Sequence, residues 1–276
     1  MEYKIVCSDL DGTLINSNSE ISNENLWAID RLNEKGIYFV PATGRSYSEV
    51  PEVLRMNHSI HYYITSNGAD IYDCHADKHY LTCISNQEMQ RIMDVLRAYD
   101  IHLTMRQNGN FYVDAELTKE EHYNYYNICE AHCSCIDNFA ININGFKDFC
   151  YKANDVEALD LYFHQKEQII VCKKELEQFA ELRVVKVGEY SLEVMNVNAG
   201  KGRALQTLAG MLDIPCANTI GVGDSENDIG MIEKAGRGFA VSNACDELKN
   251  IADEVICSND EHAIEYVLSH TLTLFS

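Results

Sequence analysis

The stretch Cys7-Ser8-Asp9-Leu10-Asp11-Gly12-Thr13-Leu14, entered directly from the apolar run Lys4-Ile5-Val6, constrains this chain more than any other. An apolar run ending abruptly in polar residues and glycine is the signature of a buried parallel strand opening into a turn. Strand alternation puts both aspartates on one side, and the glycine permits a sharp turn with room for a ligand against the backbone. One carboxylate can then act as nucleophile and metal ligand while the other moves a proton. A lone D-x-D would read as turn chemistry; three further stretches supply the missing parts of a site.

The segment that follows is a β-α-β unit. Ser22 is placed as an N-cap, Leu26, Ile29 and Leu32 form a helical stripe, Gly36 ends it, and Ile37-Tyr38-Phe39-Val40 is the next strand. That strand runs into Ala42-Thr43-Gly44-Arg45, where a hydroxyl, a glycine amide and a cation suit phosphate oxygens, although a plain strand-to-helix turn fits as well. A helix is expected over 47–56. A strand over 62–65 then turns through Ser66-Asn67-Gly68-Ala69 into a hairpin, with Asn67 first a turn residue and second a pocket residue.

From about Cys83 the texture changes to short mixed elements. Ser85 and Glu88 form a capping box before an amphipathic helix, and Asn108-Gly109 marks a hairpin. Strands are expected at 140–143, 149–152, 184–187 and 191–195, and helices after Thr118 and near 156–164. Cys129, His132, Cys133 and Cys135 are too crowded for a zinc finger and read as reduced, unpaired groups. The cap cations Arg106, Lys152, Arg183 and Lys186 are candidates for selecting substrate, with a solvated surface position as the favoured reading of each.

Later the first texture resumes. Lys201-Gly202 opens a helix, where a lysine opposes the macrodipole unless an anion is bound. Thr219-Ile220-Gly221-Val222-Gly223 is a slim strand reaching Asp224-Ser225-Glu226-Asn227-Asp228, a rich helix cap that also offers the acids a hard divalent cation needs. Gathered at one sheet edge, these pieces make an inventory for phosphoryl transfer.

The ordered set Asp9-Leu10-Asp11-Gly12-Thr13-Leu14, Ala42-Thr43-Gly44-Arg45, Ser66-Asn67-Gly68-Ala69, Lys201-Gly202-Arg203-Ala204-Leu205 and Gly223-Asp224-Ser225-Glu226-Asn227-Asp228 resembles the haloacid dehalogenase-like superfamily, within it the Cof-type phosphatases with a large α/β cap. The resemblance runs from residue 4 to about 268, though over the cap it covers only the pattern of elements. It implies an α/β fold: a Rossmann-like doubly wound parallel core over 1–83 and 191–276, with an inserted cap over 84–190. It implies that Asp9 attacks phosphorus and Asp11 serves as acid and then base. Thr43, Gly44, Lys201 and Asn227 would hold phosphate. Asp9, the Asp11 carbonyl, Asp224 and Asp228 would serve Mg²⁺, and Arg45 and Asn67 are weaker substrate candidates.

The expected activity is hydrolysis of a small phosphorylated metabolite, such as a sugar phosphate, through an aspartyl-phosphate. A phosphosugar mutase is the alternative. A phospho-acceptor signalling domain is third, since it has no use for the cap or for Asp11. A formal charge of −21 disfavours a general nucleic-acid or anionic-membrane binder, and requires a local cation if the substrate is itself an anion. The absence of an apolar run of ~20 residues, or of a signal segment, and eleven cysteines scattered in apolar stretches point to a cytoplasmic protein. Oligomeric state is not legible.

Overall fold

The computed structural model describes residues 2–272. In chain order the strands are β1 Ile5–Ser8, β2 Tyr38–Pro41, β3 Tyr62–Thr65, β4 Asp70–Asp73, β5 Lys78–Leu81, β6 Ile101–Gln107, β7 Asn110–Asp114, β8 Ile141–Ile143, β9 Val156–Phe163, β10 Leu182–Lys186, β11 Ser191–Asn196, β12 Thr219–Gly223, β13 Arg237–Val241 and β14 Glu254–Ile256. Contacts divide the chain into two compact units, one of residues 1–44, 51–80 and 200–276, the other of residues 45–50 and 81–199.

The first unit is built on a parallel sheet of order β14-β13-β12-β1-β2. Beyond β2, Ala42 bridges in parallel to Ile64 of β3, and β3 turns back through Ser66–Gly68 into antiparallel β4. The strands are short and almost wholly buried, as expected when helices cover both faces. Ile5, Cys7, Val40 and Ile64 pack against Leu205, Leu208 and Ala209 of the helix Lys201–Met211. Ser22 caps the helix Asn23–Glu34, its Oγ accepting from the Asn25 amide at 3.2 Å. The carboxyl ends of β1, β2 and β12 lie side by side in register, Ser8 opposite both Pro41 and Val222. This is the edge where an open parallel sheet receives ligands.

The second unit is a six-stranded sheet of order β10-β11-β9-β6-β7-β8, antiparallel except between β7 and β8. Met89, Ile92, Met93 and Leu96 of the helix Asn86–Leu96 join Phe146, Cys150, Ile169 and Cys172 in the core that covers one face. The capping box of Ser85 and Glu88 is formed, and Asn108-Gly109 makes the turn between β6 and β7. On the other side Phe111, Val113, Tyr123, Tyr126, Ile136 and Tyr162 cluster together.

Four local expectations fail here. Residues 47–56 are not one helix: a 3-10 turn at Tyr47–Glu49 and a single helical turn at Glu52–Arg55 are separated by Pro51, which disfavours helical geometry before it. Residues 149–152 belong to the helix Phe146–Lys152, not a strand. Residues 156–163 form the fully buried strand β9 instead of a helix. The helix Lys166–Leu176 follows where none is expected. In β9 the charges that break up the apolar run are interior: Glu157 accepts from the Gly109 amide at 2.7 Å, and Asp160 pairs with Arg106. Arg106 is correspondingly buried and not a solvated cation.

Candidate active site

Asp9 follows β1 directly, its amide donating to the Val222 carbonyl of β12 at 2.9 Å. This ties the first acidic motif to the strand that delivers Asp224 and Asp228. The helix Lys201–Met211 begins on Lys201 itself, so its side chain lies at the helix start beneath the strand ends. Its Nζ stands 2.6 Å from Asp9 Oδ1 and 2.7 Å from Asp228 Oδ1. Lys201 is only 1% exposed, Asp9 4% and Asp228 0%, so this is an interior ion triad and not a surface pair. Two carboxylates answer the unfavourable position of a lysine at a helix start.

The second carboxylate oxygen of Asp228 closes the loop that carries it, accepting from the Asp224 and Ser225 amides at 3.0 and 3.1 Å. Gly223 leaves the room for this: a Cβ there would lie 2.5 Å from that of Asp228. Asp224 is fixed by Thr13, whose Oγ1 donates to its Oδ1 at 3.0 Å. Gly12 turns at φ +79°, where a side chain would be strained and would meet Asp224 Oδ2 at 2.7 Å. Asn243 holds that turn by donating to the Gly12 carbonyl at 2.7 Å.

One acidic group of the described residues could hold a metal ion: Asp9, Asp224 and Asp228, with oxygen atoms all within 4.8 Å of one another. Burial and the neighbouring Asp228 push the Asp9 carboxyl well above the ordinary carboxylate range, and burial raises that of Asp224 as well. Burial would lower the Lys201 ammonium, but Asp228 and Asp9 outweigh it and keep it charged. Three carboxylates against one lysine leave an excess negative charge in a low-dielectric pocket, which a hard divalent cation relieves. The donor set, all oxygen, fits Mg²⁺. The Asp11 carboxylate lies outside this group and is exposed, with its backbone bridged to Ile15. The cysteines Cys129, Cys133 and Cys135 do not join such a group with His132.

The phosphate candidates sit at the next strand end. Thr43 is buried, its amide donating to the Ile64 carbonyl and its carbonyl accepting from the Asn67 amide, each at 2.9 Å. Asn67 adopts the left-handed conformation at φ 53°, which asparagine tolerates, and so reaches the Gly44 and Asn227 side of the loop. Its Oδ1 accepts from Asn227 Nδ2 at 3.0 Å. Thus Asn67 serves as turn and as link between two loops. Arg45, by contrast, belongs to the second unit and donates from Nη1 to the Glu49 carbonyl at 3.0 Å. Sequence reasoning passed over Thr13 and Asn243 as supports; Thr13 adjoins the acidic motif, while nothing local marks Asn243.

A family model described as haloacid dehalogenase-like hydrolase matches residues 6–268. The chain is 31% identical to phosphatase YwpJ of Bacillus subtilis over 98% of its own length and 100% of that protein. It is 28% identical to the same organism's 5-amino-6-(5-phospho-D-ribitylamino)uracil phosphatase YwtE, covering 98% of each chain. A crystal structure of a haloacid dehalogenase-like hydrolase from Bacteroides thetaiotaomicron superposes with a TM-score of 0.82 at 25% identity, covering 97% of this chain and 98% of that one. Among the described residues no helix is long and apolar enough to cross a membrane. The fold, the strand-end acids and these likenesses agree: the chain belongs to the haloacid dehalogenase-like hydrolases of the Cof type and is a hydrolase acting on phosphate esters.

Proposed function

We propose that the protein is a Mg²⁺-dependent phosphomonoesterase of small metabolites, working in the cytoplasm through an aspartyl-phosphate. The observation that carries this reading is the interior lysine held between Asp9 and Asp228, with Asp224 completing the acidic group. Asp9 is the nucleophile. Lys201 lies on its Oδ1, where its charge favours the ionised carboxylate against burial and Asp228 and offsets the charge of an arriving phosphoryl group. Mg²⁺ would be held by Asp9, Asp224 and the Asp11 carbonyl with Asp228 behind them, and supplies charge neutralisation for the transferred group. The exposed Asp11 carboxylate protonates the leaving oxygen and then takes a proton from the hydrolytic water. Thr43, the Gly44 amide and Asn227 receive phosphate oxygens.

The inserted residues 84–190 serve as the cap that selects substrate and excludes water. One relative is named for a phosphorylated ribityl compound, so a phosphorylated polyol or sugar is the substrate class to test first. Arg45 and Asn67 act around the phosphate, Asn67 by holding Asn227.

The test is phosphate release from a panel of sugar, polyol and nucleotide monophosphates, with Mg²⁺ and with chelator. Release should require Mg²⁺, and Asp224→Ala should abolish it with partial recovery at high Mg²⁺. Undiminished turnover in chelator would overturn the metal role, and turnover of no phosphomonoester would overturn the reading.

A further inference from the structure

Three consecutive residues between β3 and β4 stand in the left-handed region: Ser66 at φ 48°, Asn67 at φ 53° and Gly68 at φ 86°. Glycine takes this conformation freely and asparagine tolerates it, but serine adopts it at a cost. A turn of this kind persists only where its surroundings hold it. On the side of the site, the Asn67 amide donates to the Thr43 carbonyl at 2.9 Å, and Asn67 Oδ1 accepts from Asn227 at 3.0 Å. Gly68 lies against the start of the helix Lys201–Met211, so that a Cβ there would stand 2.5 Å from the Gly200 carbonyl. The turn therefore touches the segments that carry Thr43, Asn227 and Lys201.

Its base is closed by a charged group. Thr65 and Asp70 face each other in the last pair of the β3–β4 ladder, on either side of the turn. Thr65 Oγ1 donates to Asp70 Oδ2 at 3.2 Å, and His79 Nδ1 of β5 stands 2.9 Å from the same oxygen. An ionised carboxylate only accepts, so that ring nitrogen carries a proton. The ring itself stacks on Tyr72 of β4 at 4.4 Å. Asp70 is 0% exposed and its Oδ1 makes no hydrogen bond, whereas the His79 side chain is 32% exposed. Burial pushes the Asp70 carboxyl up, and His79 opposes the shift. A wholly buried carboxylate with one oxygen unpaired is a costly way to close a hairpin. What it does achieve is to tie β3, β4 and β5 together at the point from which the strained turn springs. A turn fixed in this way loses less entropy when a ligand binds beside it.

We propose that Asp70 and His79 are positioning residues for phosphate binding: their pair closes the base of the 66–68 turn and so keeps Asn67 and Gly68 against the segments that carry Thr43, Asn227 and Lys201. The inference rests on the assignment of those three residues to the phosphate. All of the residues involved lie in the first unit.

Two variants test it. Asp70→Asn keeps the shape and removes the charge, and His79→Phe keeps the ring on Tyr72 and removes the donor. On the Mg²⁺-loaded enzyme, KM for p-nitrophenyl phosphate and the inhibition constant of inorganic phosphate should rise together, about tenfold, with a smaller fall in kcat. His79→Gln, which keeps a donor, should restore part of both. Exchange of the Asn67 and Ala69 amides, which donate to Thr43 and Ser66, should quicken while β1 and β12 stay protected. Should Asp70→Asn not fold, His79→Phe, at a partly exposed position, carries the same expectations. Unchanged KM and phosphate inhibition in a folded variant, with loss only of melting temperature or active fraction, would overturn the proposal. So would unchanged exchange at Asn67 and Ala69. The exchange readout needs no turnover, so failure of this inference is distinguishable from failure of the phosphatase reading.

Discussion

Single residues here are defined by what burial does to charge. Lys201 stays ionised inside the protein because two carboxylates reach it, whereas His102, equally enclosed on β6, has no such partner. Its Nε2 donates to the Leu117 carbonyl at 3.3 Å and its Nδ1 is buried without a hydrogen bond, among Tyr123, Tyr126 and Tyr162. Burial, with His132 nearby, pushes its pKa down to about 4. The unfolded chain takes up this proton near ~6.5 and the folded chain only near 4. Between those values the unfolded state binds more protons, so this contribution to stability is complete above about 6.5 and is lost as pH falls toward 4. The loss is at most about 3 kcal/mol by linkage. His102→Phe should therefore narrow the gap between melting temperatures at pH 7 and pH 5. An unchanged gap would show that His102 does not titrate in this way.

At the scale of elements, the site depends on how closely two helices approach. Lys201 begins one, and the helix Ile229–Lys234 follows directly from Asp228. Gly202 makes their contact possible, since a Cβ there would overlap the Gly230 carbonyl. Gly202→Ala should force the helices apart, costing about 1–3 kcal/mol as overpacking does. It should also pull Lys201 away from Asp228, so that activity falls further than stability explains. Full activity with only a lowered melting temperature would contradict that coupling. Neither Gly202 nor its neighbour announces this contact in sequence, because the constraint lies on a segment far along the chain. The same limit explains which elements were legible. Strands that end in acids, the Ser22 and Ser85 caps and the Asn108-Gly109 turn are written locally and form as read. Strand β9 is not, because Glu157 and Asp160 look like surface residues until Gly109 and Arg106 are brought to them. For the same reason Glu49 reads as part of a helix face, although its partner is on β6.

For the whole molecule, a formal charge of −21 would repel a phosphorylated substrate at long range. The fold answers this locally, by collecting acids from β1 and β12 into one group that calls for a divalent cation and placing Lys201 among them. The ordered motifs made this collection legible from sequence, because each acid stands just past an apolar strand of a parallel sheet. Thr13 and Asn243, which hold those acids and their turn in place, were not legible as a pair. The central claim is that Asp9 accepts the phosphoryl group and Asp11 moves the protons. Mass spectrometry of acid-quenched Asp11→Asn, mixed with an activated aryl phosphate and Mg²⁺, tests it most directly. The leaving group needs little acid help while dephosphorylation still needs a base, so a burst of aryl alcohol near one per site should accompany a phosphoryl adduct on Asp9. Asp9→Asn should show neither burst nor adduct. An adduct on another residue, or equal activity in the two variants, would contradict the account.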